Sequence, residues 1–415
     1  MIEQRDIVIA GGGMVGISLA LQLAASLPPE WRITLVEGFA LPPPAPGGRP
    51  DYHPSFDARS TALSYSTRLV YESIGIWPEL SRWLCPIETI HVSNRGRFGS
   101  TLLQAADYDW PALGYVVENA WLGNSLIQQL HRQQRVELLC PAKVIAAEPR
   151  TSGLDLTLEG EHTRQINARL LVVADGAGSG LREALGVSVA EKPYRQQALI
   201  ANVAFARPHE GCAFERFTDE GPLALLPLPG VAGAEHRSAL VWTLPPARAG
   251  QLQDCDDEEF LGALQDRFGY RLGRLRQVGE RHTYPLALTE STEQVRHSVV
   301  VMGNAAHALH PVAGQGYNLA MRDVAELARV LDEAIRAGEA PGSLSVLQRY
   351  RQRQHNDQSR TIAMSDLLPG LFMNSDPVLG LASDMALAGL DVIAPLKREF
   401  VRYAAGVAAL GEAHG

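Results

Sequence analysis

The stretch from Asp6 to Leu27 constrains this chain more than any other. A β-branched run, Ile7 to Ala10, ends in three consecutive glycines and passes directly into an apolar helical pattern. Gly11, Gly13 and Gly16 have G-x-G-x-x-G spacing. The first glycine permits a tight turn, the second lets the backbone approach a pyrophosphate, and the third lets the helix pack on the strand, with the helix N-terminus facing the negative charge. A second apolar run, "ITLVEG", ends at Glu37, about twenty residues on as the fingerprint requires. A carboxylate there accepts hydrogen bonds from both hydroxyls of an adenosine ribose and repels a 2′-phosphate, so FAD or NAD fits better than NADP. The bland alternative is a glycine-rich turn in a plain α/β domain.

No residue from Ile7 to Leu27 is charged, a length that imitates a membrane span or a signal-peptide core. The glycines interrupt it after Ala10, and Glu3, Arg5 and Asp6 give it a mixed-charge start. It therefore reads as strand, turn and helix, with no targeting sequence, in a protein that is cytoplasmic or peripheral on the inner face of the cytoplasmic membrane. A chain of 415 residues with 46% hydrophobic and 20% charged residues is ordinary globular material of two to three domains. Its net charge of −9 argues against a nucleic-acid partner. Cys85, Cys140, Cys212 and Cys255 are far apart, without metal-ligand spacing, and read as free thiols.

Residues 39–56 are dense in Pro and Gly and read as a connector. "FDARSTALSYSTRLVYESIGIW" starts as a loop and becomes helical, with Arg59 just ahead of the helix, either a surface arginine or one aimed at the cofactor. Leu122, Leu126 and Leu130 recur on one face of a helix. A strand–turn–strand run then leads into "ARLLVVAD", closed by Asp175-Gly176, with Ser179 and Arg182 opening a short helix. "GAGSGL" has no acidic residue at the required distance beyond it, so it is no second dinucleotide site. From about 190 to 285 the chain alternates and turns, with one helix at "DDEEFLGALQDRF", predicting a mostly antiparallel sheet.

"GNAAHALHPVAGQGYNLAMRD", residues 303–323, sits between a strand and a long helix whose buried face is predicted at Val324, Leu327, Ala328, Leu331 and Ile335. Pro311 and the glycines leave backbone N–H groups unpaired at that helix start, an anion site suited to a flavin edge that becomes negative on reduction. His307 and His310 raise a metal reading, but no third ligand is near, and pocket lining or local hydrogen bonding accounts for them.

Together, the glycine motif with Glu37, Arg59 in "DARSTAL", Asp175-Gly176 in "ADGAGSGLR" and the 303–323 stretch resemble the FAD-dependent aromatic hydroxylases of the p-hydroxybenzoate hydroxylase class, over nearly the whole chain. Within it the chain resembles the ubiquinone-biosynthesis hydroxylases, most of all the 2-polyprenyl-6-methoxyphenol hydroxylase branch. Asn304 stands where the class usually has Asp, as in that branch, and Asn124 where class members often carry Arg or Gln. The implied fold is α/β: a Rossmann-like FAD-binding domain, an inserted mostly antiparallel substrate sheet and a C-terminal helical region. The division expected is 1–185 for the first part of the FAD-binding domain, with a substrate-domain excursion near 75–110, then 186–284 for the substrate sheet, 285–340 for the return of the FAD-binding domain and 341–415 for the helical region.

The resemblance implies FAD bound by Gly11, Gly13, Gly16, Glu37, Arg59, Asn124, Asp175, Gly176, Asn304, Gly314, Gly316 and Asn318, with His310, Pro311 and Gln315 lining the reaction pocket. It implies NAD(P)H as reductant from a transient site, O2 as co-substrate, and hydroxylation of a polyprenyl methoxyphenol to a 1,4-benzoquinol, with the flavin and no protein nucleophile carrying the chemistry. Residues 363–410, rich in Leu, Ala and Met, either shelter the prenyl chain, dock on a membrane or on other ubiquinone-biosynthesis proteins, or cap the FAD domain. The rival readings are a hydroxylase of another ring position, a prenyl-chain reductase and a flavin-binding scaffold of the biosynthetic complex.

Overall fold

The computed structural model describes residues 2–45, 52–95, 100–160, 164–309, 314–372, 401–402 and 405–406, with only the backbone of 367–372. Its first sheet is built around the strand that carries the glycine motif. β1 (Glu3–Ala10) lies parallel between β2 (Ile33–Val36) and β11 (Arg164–Val173). β8 (Val136–Leu139) extends the sheet beyond β2 and β19 (Val299–Val301) beyond β11, all parallel, and β18 (Val295–Arg296) closes the edge antiparallel. These strands are near-continuous Val, Ile and Leu because both faces are covered. On one face Ile7 and Ile9 meet α1 (Met14–Ser26), α8 (Gln315–Arg336) and α9 (Leu344–Phe372) through Leu19, Leu23, Val324, Leu331 and Tyr350. On the other, Val8 and Ala10 meet the antiparallel meander of β9 (Ala142–Arg150) and β10 (Gly153–Gly160). Of the expected buried face of α8, Val324, Leu327, Ala328 and Leu331 are fully buried and Ile335 is half-buried.

Among the described residues the second sheet has nine strands. Its order is β20 (His307–Ala308), β17 (His282–Ser291), β12 (Val189–Phe205), β15 (Arg237–Leu244), β14 (Pro222–Leu228), β13 (Cys212–Phe217), β5 (Thr89–Asn94) and β6 (Ser100–Gln104), with β16 (Leu275–Val278) also on β12. Every pair is antiparallel except β13 with β5. One face is sealed by α6 (Pro246–Asp254) and α7 (Asp257–Phe268), which bury Leu199, Leu223, Leu240 and Trp242 under Leu252, Phe260 and Leu264. α7 starts where Asp256 accepts the Glu259 N–H at 2.8 Å, and Asp257, Glu258 and Glu259 fill its first turn.

A third, small sheet of β3 (Ser60–Ser64), β7 (Gly114–Glu118) and β4 (Leu84–Ile87) joins the two, with Ile87 and Val116 against Ala213, Leu228 and Ala239 of the second sheet. This corrects the reading of "FDARSTALSYSTRLVYESIGIW" as a loop that becomes helical. Ser60–Ser64 is a strand, paired residue for residue from Ser60↔Glu118 to Ser64↔Gly114, and only then does α2 (Tyr65–Ser73) begin. Single-sequence periodicity missed it because its partner lies more than fifty residues away. α3 (Trp77–Leu80), α4 (Asn119–Arg132) and α5 (Gly180–Ala184) complete the helices named here; Leu122, Leu126 and Leu130 of α4 are buried.

One ion pair fastens the small sheet to the large one. Arg237, fully buried at the start of β15, donates to the Glu118 carboxylate and to the carbonyls of Pro229 and Ser55, and Tyr52 donates to the same carboxylate. Breaking such a pair from one side leaves an uncompensated buried charge, costing about 3–5 kcal/mol, whereas apolar replacement of both partners costs far less. Arg237→Met is expected to lower Tm by several degrees, and the Glu118→Leu/Arg237→Met double variant by less than the single one, measured by thermal unfolding of the FAD-loaded protein.

Candidate active site

The site grows from the C-terminal ends of β1, β11 and β19, three adjacent parallel strands. At the end of β1, Gly11 has φ +113°, and a Cβ there would lie 2.4 Å from the Ala174 carbonyl oxygen at the end of β11. A Cβ on Gly16 would lie 1.9 Å from the Gly11 carbonyl oxygen, so the helix rests on the turn. Gly13 differs: nothing lies within 4 Å of its Cβ position, so the backbone faces open space at the start of α1. α1 has no side-chain cap and no acid in its first turn, and its leading N–H groups are left for an anion. Glu37, just beyond β2, accepts from the Gly12 N–H at 2.5 Å and the Phe39 N–H at 2.8 Å, which holds its carboxylate beside the glycine turn. An open helix start, a glycine cradle and an anchored carboxylate fit the diphosphate and adenosine ribose of FAD.

The other two motifs arrive at the same edge. Asp175 is exposed and its Cα lies 2.8 Å from the Gly11 Cβ position; Gly176, at φ +96°, opens onto space. After β19, Gly303 turns with φ +62° against Val15 of α1, and Asn304 follows it, exposed, in a 3-10 turn. Arg182, 3% exposed, donates to the carbonyls of Ala177 at 3.3 Å and Ala305 at 3.0 Å, tying the second motif to the third. The sequence marked Arg182 only as opening a short helix; its clamp needs the two loops side by side.

At the start of α8, Gly314 takes the left-handed conformation as an N-cap without side-chain bonding, and Gln315 and Gly316 follow, half-buried. His310 and Pro311 lie outside the described residues. His307 hydrogen-bonds locally: its Nε2 is 3.0 Å from Asp323, which also accepts from Gln358 at 2.8 Å, all three buried. Among the described residues no three metal-ligating side chains cluster. Arg59 is exposed and precedes β3 rather than a helix; it donates to the Tyr284 hydroxyl at 3.1 Å, bridging to the second sheet. Asn124 is half-buried on α4.

Asn318, one of the residues expected to hold the cofactor, has its side chain engaged within the protein. Its side-chain amide, 2% exposed, accepts from Ser64 N–H and Thr67 hydroxyl, each at 2.8 Å, and donates to the carbonyls of Ala62 at 2.9 Å and Gly314 at 2.8 Å. Every hydrogen-bonding position of the amide is therefore taken by protein. Its role is to fix the start of α8 to β3 and α2.

Comparison with known proteins agrees with this geometry. The family described as an FAD binding domain matches residues 128–364. The ubiquinone hydroxylase of Rhodospirillum rubrum is 35% identical over 98% of this chain and 90% of its own length. The 3-demethoxyubiquinol 3-hydroxylase of Escherichia coli is 31% identical over 98% of this chain and 99% of its own. The p-nitrophenol 4-monooxygenase of Pseudomonas putida superposes with a TM-score of 0.74 at 18% identity, covering 96% of this chain and 97% of that one, and so shares the fold.

Glu37→Arg is expected to abolish FAD retention, because a long cation replaces the carboxylate held at 2.5 Å from the glycine turn. Flavin absorbance per mole of purified, folded protein measures it; normal stoichiometry would remove Glu37 from the ribose site.

Proposed function

The chain belongs to the FAD-dependent hydroxylases of ubiquinone biosynthesis, and from that premise we propose that it hydroxylates a polyprenylated methoxyphenol to a 1,4-benzoquinol. It is a flavoprotein monooxygenase acting on a phenolic or quinol ring, with NAD(P)H and O2 as co-substrates. The observation that carries the finer reading is the meeting of three loops at one edge of the parallel sheet, together with the bridge from Arg59, just ahead of β3, to Tyr284 of the nine-stranded sheet. An FAD held along that edge would leave the nine-stranded sheet as a second layer able to hold a substrate.

In this reading Gly11 to Gly16 receive the pyrophosphate, Glu37 the ribose, and Asp175, Gly176 and Asn304 the chain between ribose and ring. Gly314, Gln315 and Gly316, with His310 and Pro311, border the ring. Arg59 and Asn124 flank it. Bound FAD supplies the redox and oxygen-transfer chemistry, and the protein orients the ring and excludes water. A ring hydroxyl pushes electron density to its para carbon, which makes a methoxyphenol a suitable acceptor of electrophilic oxygen. One dinucleotide fingerprint is consistent with NAD(P)H visiting a transient site.

A second reading has direct support: the Escherichia coli relative is a 3-hydroxylase of demethoxyubiquinol, so another ring carbon is the alternative target. Substrate delivery is the remaining part. Among the described residues no helix is long and apolar enough to cross a membrane. Most of residues 363–410 lie outside the described residues, but Val401 is buried with Leu103, Ala105 and Leu113, and the Ala405 carbonyl accepts from Ser66 N–H at 3.0 Å. Those residues act as a cap, and docking on a membrane or on other biosynthetic proteins falls to the rest of the tail.

Turnover of a short-chain 2-prenyl-6-methoxyphenol under labelled O2, with FAD and NAD(P)H, is expected to place one labelled oxygen para to the hydroxyl. Label at another ring carbon favours the second reading. Peroxide with untouched phenol would overturn this substrate.

A further inference from the structure

The two faces of the nine-stranded sheet differ. One is sealed by α6 and α7. The other looks toward the FAD-binding part: the Asn202 side-chain amide donates to the carbonyls of Phe56 and Ala58 at 2.6 and 2.8 Å, and Tyr284 meets Arg59. Strand register sets this face in rows. In one row Ala213 and Ala239 are buried under the small sheet, and four residues further along the strands Phe217, Thr243 and Ala198 are buried as well. The row between them is Val92, Glu215, Ala224, Val241 and Ile200, each directly paired with the next, and all five are only half-buried.

This row is a trough floor, apolar except for one carboxylate. Glu215 makes no hydrogen bond or ion pair with any described residue, and its strand neighbours on this face are Val92 and Ala224. The charged groups nearest along the row are at its far end, where His282 pairs with Glu280 at 3.5 Å and Arg59 with Tyr284. An unpartnered carboxylate in an apolar recess is costly and needs a polar occupant.

We propose that Glu215 contacts the ring hydroxyl of the aromatic substrate in this trough and takes its proton, so that the ring is hydroxylated as the more electron-rich phenolate. The assignment rests on the ring-hydroxylase reading above. The phenol O–H bond breaks, an O–H bond forms on the carboxylate, and no electrons change hands. Burial alone pushes the Glu215 carboxyl up to about 7. Against a phenol near 10, that brings base and acid closer by a factor on the order of a hundred compared with a solvated glutamate, without removing the base at neutral pH.

The test uses FAD-loaded Glu215→Gln, which keeps the size and hydrogen bonding of the side chain but cannot titrate. Its folding is not at risk. A carboxyl raised in the folded state above its unfolded value of 4.5 penalises folding increasingly as pH rises from there to about 7, and fully above it. The variant is therefore expected to be at least as heat-stable as wild type at pH 8.

With the short-chain methoxyphenol, product formed per NAD(P)H in wild type is expected to rise with pH through about 7. In Glu215→Gln it is expected to fall at least tenfold and lose that pH dependence, at unchanged FAD content. Independently of turnover, 4-nitrophenol bound to wild type is expected to ionise over two pH steps, because it shares one proton with the Glu215 carboxylate, and over a single step in the variant. Identical nitrophenol ionisation with identical coupling in both proteins overturns the proposal, as does failure of wild type to bind the probe. A difference in ionisation without hydroxylation of any prenyl phenol sinks the substrate reading and leaves the Glu215 contact standing.

Discussion

The close approach of β1 and β11 is the constraint on which the rest of the structure depends. Gly11 turns where a Cβ would sit 2.4 Å from the Ala174 carbonyl oxygen, so the turn after β1 and the turn after β11 are fitted to each other. Gly16 sits equally tightly on the Gly11 carbonyl, and Gly303 turns against Val15. A side chain at Gly11 or Gly16 would push a backbone segment away, and the shared edge would lose its shape. The open space at Gly13 has meaning only because the glycines around it have none.

From that edge the molecule is held together by buried polar groups that bond across elements. Arg182 joins the second loop to the third, Asn318 joins the start of α8 to β3 and α2, and the Arg237–Glu118 pair joins the small sheet to the large one. Each is bonded to other elements of the protein, and the Asn318 amide has every hydrogen-bonding position taken, so these groups act structurally. Glu215 stands apart from this pattern: of the polar side chains on the FAD-facing side of the second sheet, it is the one in the middle of an apolar row without a described partner. That contrast makes it informative.

The parallel core was legible in the chain because its strands are short apolar runs punctuated by glycine and a carboxylate at fixed spacing. Local rules also placed α7, with its acidic first turn, and the buried stripe of α8. β3 was not legible: "STALS" has no strong alternation, and what makes it a strand is pairing with Gly114–Glu118. The partners of the Asn318 side chain were not legible for a related reason. A motif gives the residue type at a position but not which of its atoms are already bonded.

The sequence by itself determined the dinucleotide turn, the carboxylate that suits a ribose, the existence of three cofactor-side motifs and their order, since each rests on contacts within one strand–turn–helix unit. Only the tertiary structure decided that β5 pairs parallel with β13, that a strand precedes α2, and that Arg59 meets Tyr284. It also decided that Glu215 lies in line with Val92, Ala224, Val241 and Ile200. Those facts depend on register between strands far apart in the chain, and register is set by which faces the whole fold buries, not by any local pattern.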